Sequence, residues 1–180
     1  MKIAISGKMC TGKTFISNLL INHFEKENIK LHKLSFADDV YKIARELFSM
    51  KTKNRQLLQS IGTKMREIDS NVWVNYLLKT HKNENLIVED GRYENEIKAL
   101  HKNGFYIIKL ELDKDTQLKR LMEKYPDTYN NHIKNLNHES ETSSDLIPKK
   151  YFNCIVKSDE KLIEFIRTHL LENEIMLKFF

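Results

Sequence analysis

The sequence predicts an α/β fold with a parallel sheet covered by helices on both faces, and two observations support this. Short apolar segments alternate along the chain with segments in which apolar residues recur at helical spacing. This alternation is typical of parallel sheets, because helices connect their strands. Residues 7–14, GKMCTGKT, fit the phosphate-binding pattern G-x-x-x-x-G-K-S/T and lie between the first strand and the first helix. The predicted fold is therefore that of a P-loop NTPase.

The first strand, loop and helix form a predicted ATP site. Residues 2–6 are an apolar strand, and the apolar residues after the loop recur at helical spacing. Backbone N–H groups of such a loop surround a phosphate, and the N-terminus of the helix adds a favourable dipole. We expect Lys13 to reach the β- and γ-phosphates and the Thr14 hydroxyl to ligate Mg²⁺. The residues expected to contact ATP here are Gly7, Lys8, Met9, Cys10, Thr11, Gly12, Lys13 and Thr14.

The remaining elements follow in order along the chain. Apolar segments predict strands at residues 31–35, 86–90, 105–112 and 151–156. Helical periodicity predicts helices at 36–50, 57–68, 93–102 and 116–125, another beginning after Asp69 or Ser70, and a last one from 159 to 171 or beyond. The helix over 93–102 is expected to end at Asn103-Gly104, because glycine adopts the left-handed conformation that terminates helices.

The segment from Pro126 to Pro148 interrupts this alternation. It is rich in Asn, His, Ser and acids and has little periodicity. Aperiodic segments of this length inside a compact domain are typical of active-site lids or of disorder, so we predict a lid over about 126–148. We expect His132 and His138 to be ordinary polar residues of this lid. The lid is expected to be mobile without ligand and to close when both nucleotides bind.

Composition favours a single cytoplasmic domain over residues 1–180. Hydrophobic residues make up 41% of the chain and charged residues 31%, and no apolar run reaches membrane-spanning length. Cys10 and Cys154 have no metal-binding spacing and are expected to be reduced thiols. The net charge of +5 suits anionic substrates, whereas a basic cluster interleaved with aromatics, typical of nucleic-acid binding, is missing from the sequence. We therefore expect neither a nucleic acid nor a membrane as partner.

Charged residues follow the predicted strands, at the edge where such sheets bind ligands. Asp90 ends the strand at 86–90, and we favour it as a Mg²⁺ ligand over a role as a helix cap. Arg92 lies at the next turn, where an acceptor phosphate is one interpretation and a surface salt bridge the other. Asp38 is a candidate to bind a sugar hydroxyl, to accept a proton or to cap its helix.

Arginine is scarce, with six residues in a lysine-rich chain. Its planar guanidinium binds phosphate in a bidentate manner that lysine cannot match, so the arginines are favoured candidates for phosphate binding. Arg66 lies on the polar face of its helix, where plain solvation is the alternative. Arg120 and Lys124 lie one turn apart before the lid, placed to contact the outer phosphates or a base, again with solvation as the alternative. Trp73 is either a core residue or a residue that stacks on the base of a bound nucleotide.

Four further segments resemble the P-loop nucleoside monophosphate kinases, and within them the deoxynucleoside monophosphate kinases of phages, large DNA viruses and some bacteria. They are residues 35–38 (SFAD) with 44–48 (ARELF), residues 57–63 (LLQSIGT) with Arg66, Asp69 and Trp73, residues 90–96 (DGRYENE), which are close to D-V-R-F/Y-x-N-E, and residues 138–141 (HESE), which resemble H-x-S-E of the lid. Together with the P-loop these motifs extend over residues 1–145.

The resemblance implies a five-stranded parallel sheet, ATP with Mg²⁺ as donor and a (deoxy)nucleoside 5′-monophosphate as acceptor. It implies an acceptor-binding region over about 36–80. The residues that it places around the acceptor are Asp38, Arg45, Gln59, Arg66, Trp73 and Arg92. Arg120 resembles the lid-entry arginine of the wider class, and Lys13, Arg92 and Arg120 are the predicted catalytic residues.

The chain also departs from the family pattern. Gly91 replaces a β-branched residue, and Lys124 stands where many relatives carry a second arginine. The lid contains no arginine, and Lys134, Lys149 or Lys150 are the candidates to replace its charge.

These features favour phosphoryl transfer from Mg·ATP to a deoxynucleoside monophosphate, by a monomer or homodimer in the cytoplasm, or the host cytoplasm if the protein is viral. A phosphate acceptor is already ionised, so the reaction needs positioning and exclusion of water rather than a base. Two alternatives stay open. One is a kinase of a hydroxyl acceptor, such as a nucleoside or dephospho-coenzyme A, with Asp38 as base. The other is a nucleotide-dependent regulatory protein, although the Asn-Lys-x-Asp motif of guanine recognition does not occur.

Overall fold

The computed structural model contains a five-stranded sheet in which all neighbouring strands are parallel, which confirms the predicted fold class. It describes residues 1–82, 84–136, 139–158, 162–166 and 168. The strands are β1 (Lys2–Gly7), β2 (His32–Leu34), β3 (Leu86–Gly91), β4 (Tyr106–Glu111) and β5 (Cys154–Lys157), in the order β2-β3-β1-β4-β5. Because β1 lies between β3 and β4, the loop that follows it opens at the strand ends where α/β sheets bind ligands.

Helices connect these strands. Within the described residues they are α1 (Lys13–Lys26), α2 (Phe36–Phe48), α3 (Arg55–Ile68), α4 (Val72–Thr80), α5 (Glu94–Lys102), α6 (Lys114–Lys124), α7 (Tyr129–Asn135), α8 (Glu139–Leu146) and α9 (Leu162–Phe165). The ends of α2, α3, α5 and α6 lie within two residues of the predicted ones. None of the helices in the described ranges is both long and apolar enough to cross a membrane.

Both faces of the sheet are buried because successive residues of each strand face opposite sides. On β1, Ala4 packs in one apolar cluster, whereas Ile3 and Ile5 pack in another. The first cluster includes apolar residues of α2, α3, α4 and α5, and the second includes those of α1. Because helices cover both faces of the sheet, the loops at the carboxyl ends of its strands are held in place. These loops carry the candidate site.

The predicted lid differs from the expected aperiodic loop. Its described residues form a 3-10 turn (Pro126–Thr128) followed by α7 and α8. His132 stacks on Tyr125 with 4.3 Å between ring centroids, and Glu141 is buried. Helices this short depend on tertiary packing rather than on their own periodicity, so the sequence pattern does not indicate them. His138 of the H-x-S-E motif lies outside the described residues, as do the side chains of Glu139 and Ser140.

The C-terminal elements also differ from the prediction. β5 begins at Cys154 rather than at 151, because a 3-10 turn occupies Lys149–Tyr151. Most of the predicted last helix lies outside the described residues; the part that is described, α9, buries Leu162 in the second apolar cluster.

Candidate active site

The loop between β1 and α1 has the backbone conformation of a phosphate-binding loop. Gly7 and Gly12 have φ of +153° and +91°, and Cys10 also has a positive φ of 63°. A Cβ on Gly7 would lie 2.8 Å from the carbonyl oxygen of Leu110, so only glycine fits there. The pattern of glycines in this motif therefore has a steric cause, and the loop leads directly into the N-terminus of α1.

Lys13 is buried against its own loop. Its Nζ donates to the carbonyl oxygens of Gly7 and Lys8, at 2.7 Å each. Burial, and to a smaller extent the nearby charge of Arg92, lowers the pKa of Lys13 to about 8. An anion bound at the loop would stabilise the charged form of Lys13 and raise its pKa again. The lowered pKa in the empty loop therefore favours binding of an anion.

Three side chains from other elements support the loop through its carbonyl groups. Ser158 donates from Oγ to Thr11 O at 2.6 Å, and Gln117 donates from Nε2 to Met9 O at 2.8 Å. Arg120 donates to Cys10 O at 3.4 Å, and it also donates to Oγ and O of Ser158 at 2.8 and 2.7 Å. The structure thus places Arg120 beside the P-loop, where it holds Ser158 in position. Lys124 lies exposed over the ring of Tyr125 on the same helix.

Glu89, rather than Asp90, lies beside the Thr14 hydroxyl. Thr14 Oγ1 and Glu89 Oε1 are 3.5 Å apart, and Lys33 forms an ion pair with Glu89 at 3.0 Å. A hydroxyl and a carboxylate at the P-loop are oxygen ligands of the type that Mg²⁺ prefers together with nucleotide phosphates. Thr14 and Glu89 therefore fit the role of holding Mg²⁺.

The carboxylate of Asp90 binds the N-terminus of α2. Its carboxylate accepts from the hydroxyl of Ser35 and from the backbone N–H groups of Phe36 and Ala37, at 2.9 and 3.0 Å. Burial raises its pKa, and these bonds oppose that rise. Three donors occupy both oxygens, so Asp90 caps α2 instead of facing Thr14, and the metal role expected of it stays a prediction.

The alternation of side chains along β3 explains this division of roles, because the adjacent residues Glu89 and Asp90 face opposite sides of the sheet. Ala4 pairs with Val88 and Ser6 pairs with Gly91, so Ile5 alone lies opposite both Glu89 and Asp90. This extra residue forms a β-bulge at the end of the strand, a common position for bulges next to active sites. One acid consequently reaches the P-loop and the other reaches α2.

A cleft of about 440 Å³ lies next to the P-loop, between α2, α3 and the start of α5. The polar side chains that line it include three arginines, Arg55, Arg66 and Arg92, together with Gln59 and Thr63. The apolar part of its wall comes from Phe36, Val40, Tyr41 and Leu58. Of the residues predicted to surround an acceptor, the structure brings Gln59, Arg66 and Arg92 together here.

Arg66 is held rigidly in this cleft. Its guanidinium donates to Glu96 Oε1 at 2.9 Å and to Gly62 O at 3.2 Å, and it lies 4.5 Å from the centroid of the Tyr93 ring. Glu96 also accepts from the backbone N–H of Arg92 and Tyr93, and burial raises its pKa. Nε of Arg66 is buried without a hydrogen-bond partner among the described residues. The contacts with Glu96, Gly62 and Tyr93 thus fix the guanidinium at the wall of the cleft.

Three of the predicted acceptor residues do not line the cleft. Asp38 caps α2, since its carboxylate accepts from the backbone N–H of Ser35 at 2.9 Å. Arg45 is exposed and stacks on Tyr41, at 5.6 Å from the ring centroid. Trp73 is buried in the first apolar cluster and donates from Nε1 to Gly62 O at 3.3 Å. Asp38 and Trp73 follow the alternatives left open in the sequence analysis, the helix cap and the core residue.

The predicted lid contacts the P-loop through α8. Glu141 accepts from the backbone N–H of Met9 at 2.7 Å and forms an ion pair with Arg92. Asp145, one turn later, forms an ion pair with Lys8. Four residues of the site were not predicted individually: Glu141, Ser158, Arg55 and Glu89. The H-x-S-E motif, the scarcity of arginine and the strand end indicate Glu141, Arg55 and Glu89 only in general terms, and no local pattern indicates Ser158.

Comparisons with known proteins agree with this fold. A family model described as an AAA domain matches residues 3–143. No curated protein sequence matches the chain. Shikimate kinase from Aquifex aeolicus superposes with a TM-score of 0.51 at 17% identity, over 97% of this chain and 96% of that one.

Two further solved structures are similar. Shikimate kinase from Bacteroides thetaiotaomicron gives a TM-score of 0.51 at 14% identity, over 99% of this chain and 98% of that one. An uncharacterized protein from Eubacterium ventriosum gives 0.50 at 17% identity, over 87% and 88%. At these identities the likeness shows the fold alone, which is that of a P-loop kinase.

Proposed function

Because this chain belongs to the AAA domain family and has a P-loop kinase fold, we propose that it transfers the γ-phosphoryl group of ATP to a nucleoside 5′-monophosphate. The preference for a deoxynucleoside monophosphate rests on the resemblance of the motifs at residues 35–48, 57–73 and 90–96. In this proposal the donor binds at the P-loop with Mg²⁺, and the acceptor binds in the adjoining cleft.

The observation that carries the proposal is the position of Arg92 between the two sites. Arg92 lines the cleft, and its guanidinium shares the Glu141 carboxylate with the Met9 N–H of the P-loop. A single anionic group therefore contacts the cleft arginine and the P-loop amide at once. Phosphoryl transfer between two nucleotides requires such a point, where positioned cations neutralise charge on the transferred group.

The acids of the cleft favour a phosphate acceptor over a hydroxyl acceptor. Hydroxyl groups need a base to take their proton, whereas a phosphate is already ionised. Asp90 and Glu96 are the acids that line the cleft, and both accept hydrogen bonds from two or more donors. Asp38, the base considered for a hydroxyl acceptor, caps α2 outside the lining. Each of these carboxylates already has partners.

In this proposal the residues of the two sites have different roles. Lys13 and the loop amides bind the donor phosphates, while Thr14 and Glu89 hold Mg²⁺, which would neutralise the phosphate charge. Arg66 and Arg92 orient the acceptor phosphate, Gln59 and Thr63 face its base, and Arg120 keeps the P-loop in shape through Ser158. The lid excludes water, which would otherwise take the phosphoryl group.

The hydroxyl-acceptor kinase is retained as a second candidate because two structurally similar proteins are shikimate kinases. An ADP-release assay over ribo- and deoxyribonucleoside monophosphates, nucleosides, dephospho-coenzyme A and shikimate separates the two. We expect turnover with monophosphates alone, and we expect Lys13→Ala to lower it by orders of magnitude while the protein stays folded. Turnover with a hydroxyl acceptor would contradict the proposal, and slow hydrolysis unaffected by any acceptor would favour a regulatory protein.

A further inference from the structure

The Glu141 carboxylate lies where the P-loop offers its hydrogen-bond donors. Its Oε2 accepts from the backbone N–H of Met9 at 2.7 Å, and its Oε1 accepts from the Arg92 guanidinium. The residue is 2% exposed, so the charge is removed from water. Buried carboxylates need such partners, and here the partners come from the loop and from the end of β3.

Further contacts join the same helix to the same region. Lys13 also senses the charge of Glu141, which acts to raise the lysine pKa against the effect of burial. Asp145 forms an ion pair with Lys8 at 2.5 Å, and Ser143 donates from Oγ to Arg92 O at 3.1 Å. We call the Glu141 and Asp145 ion pairs, with the Met9 hydrogen bond, the lid contact.

The donors of the lid contact are those that recognise phosphate. A loop amide, a guanidinium and a nearby ammonium group are the groups with which proteins bind phosphate oxygens. A carboxylate offers two anionic oxygens to the same donors. The single Met9 N–H cannot donate fully to Glu141 and to a phosphate at the same time, so the two anions compete for this donor.

We propose that Glu141 is an internal substitute for phosphate, which holds the lid helix α8 on the empty P-loop and must leave before ATP binds. This inference rests on the part of the proposed function that concerns phosphate binding at the P-loop, and it is independent of which acceptor is used. The lid contact therefore couples occupancy of the P-loop to the position of α8. Binding of ATP releases α8 from the P-loop. Binding of the acceptor then closes the lid again, this time over both ligands.

The contact lowers the apparent affinity for ATP. If the open, binding-competent state is a minor fraction of the empty protein, the apparent Kd rises by the reciprocal of that fraction. A fraction of about one tenth would weaken binding about tenfold. Removing the charge of the Glu141 carboxylate should restore the ATP affinity that the contact costs.

Glu141→Gln tests the inference by titration with Mg·ATP alone. Glutamine keeps an oxygen for the Met9 N–H but loses the charge that pairs with Arg92. We expect ATP affinity to increase by about three- to tenfold, the range for an open fraction between about one third and one tenth. Glu123→Gln, which neutralises an exposed carboxylate of α6, is the matched control and should leave affinity unchanged. Equal affinities in all three proteins would overturn the lid contact and leave the kinase proposal standing.

Hydrogen exchange on the unaltered protein provides a second test that needs no variant. The amides of residues 141–146 should be protected in the empty protein and should lose protection when Mg·ATP is added alone. Protection that stays the same or increases with ATP would overturn the inference. If neither the protein nor its variants bind ATP, both the inference and the proposed function are wrong, so the two failures are distinguishable.

Discussion

Binding of Mg·ATP should draw a proton onto Lys13. In the empty protein the pKa of this lysine is about 8, because burial opposes its charge. The triphosphate brings more negative charge to the loop than the nearby carboxylates supply, so the charged form is stabilised and the pKa returns toward its ordinary value of 10.5. Proton binding is therefore linked to nucleotide binding, and the linkage has a definite sign and pH range.

The magnitude follows from the two pKa values. At pH 8 about half of the empty molecules carry a neutral Lys13, and almost all carry it charged when ATP is bound, so about 0.5 proton is taken up per ATP. The uptake should rise to about 0.9 at pH 9 and fall to about 0.1 at pH 7. ATP affinity should consequently decrease as pH rises above 8.

Isothermal titration calorimetry measures this uptake directly. The observed enthalpy of ATP binding, plotted against the ionisation enthalpy of several non-phosphate buffers, has a slope equal to the number of protons bound. Lys13→Arg is the control, because an arginine stays charged over this pH range and should show no uptake. A slope near zero for the unaltered protein at pH 8 and 9 would refute the reasoning, and an equal slope in the arginine variant would assign the proton to another group.

Two further predictions concern the cleft and the acids of β3. Arg66→Ala should weaken acceptor binding by about 1.5–3 kcal/mol with little change in ATP affinity, the range for a hydrogen bond to a charged group; Arg45→Ala, outside the cleft lining, should change neither in the same titrations. Asp90→Ala should lower the free energy of unfolding by about 1–3 kcal/mol in urea titrations, because it leaves capping donors of α2 without partners. Glu89→Gln should instead raise the Mg²⁺ concentration needed for half-maximal turnover, and an unchanged Mg²⁺ dependence would contradict its role.

The parts of the site that the sequence predicts well are those encoded locally. The P-loop pattern includes the glycines whose positive φ the turn requires, so residues 7–14 identify the loop without knowledge of the rest of the chain. Helix α2 is similar, because Ser35 and Asp38 form its capping box within four residues of each other. In both cases short-range geometry determines the structure.

The parts that the sequence does not predict depend on long-range contacts. The bulge in β3 is defined only by pairing with β1, more than 80 residues earlier. Glu141 meets Met9 across a separation of 132 residues, so no local pattern indicates the contact. Arg45 is an exception, because its contact is local: it stacks on the ring of Tyr41, one turn earlier on α2, and it does not line the cleft.

Most of the scarce arginines lie at the candidate site, although not all of them face the cleft. Arg55, Arg66 and Arg92 line the cleft, whereas Arg120 holds Ser158 beneath the P-loop. A rigid planar donor suits both tasks, since it forms several hydrogen bonds with fixed geometry. Residue type therefore predicts involvement in the site better than it predicts the partner.

The most direct test of the central claim identifies the product that receives the γ-phosphoryl group. The protein is incubated with ATP labelled in the γ-phosphate, Mg²⁺ and each deoxynucleoside monophosphate in turn, and the labelled products are separated. We predict that the label appears in a deoxynucleoside 5′-diphosphate and that Arg66→Ala lowers this transfer. Label found as inorganic phosphate with every monophosphate would contradict the proposed function.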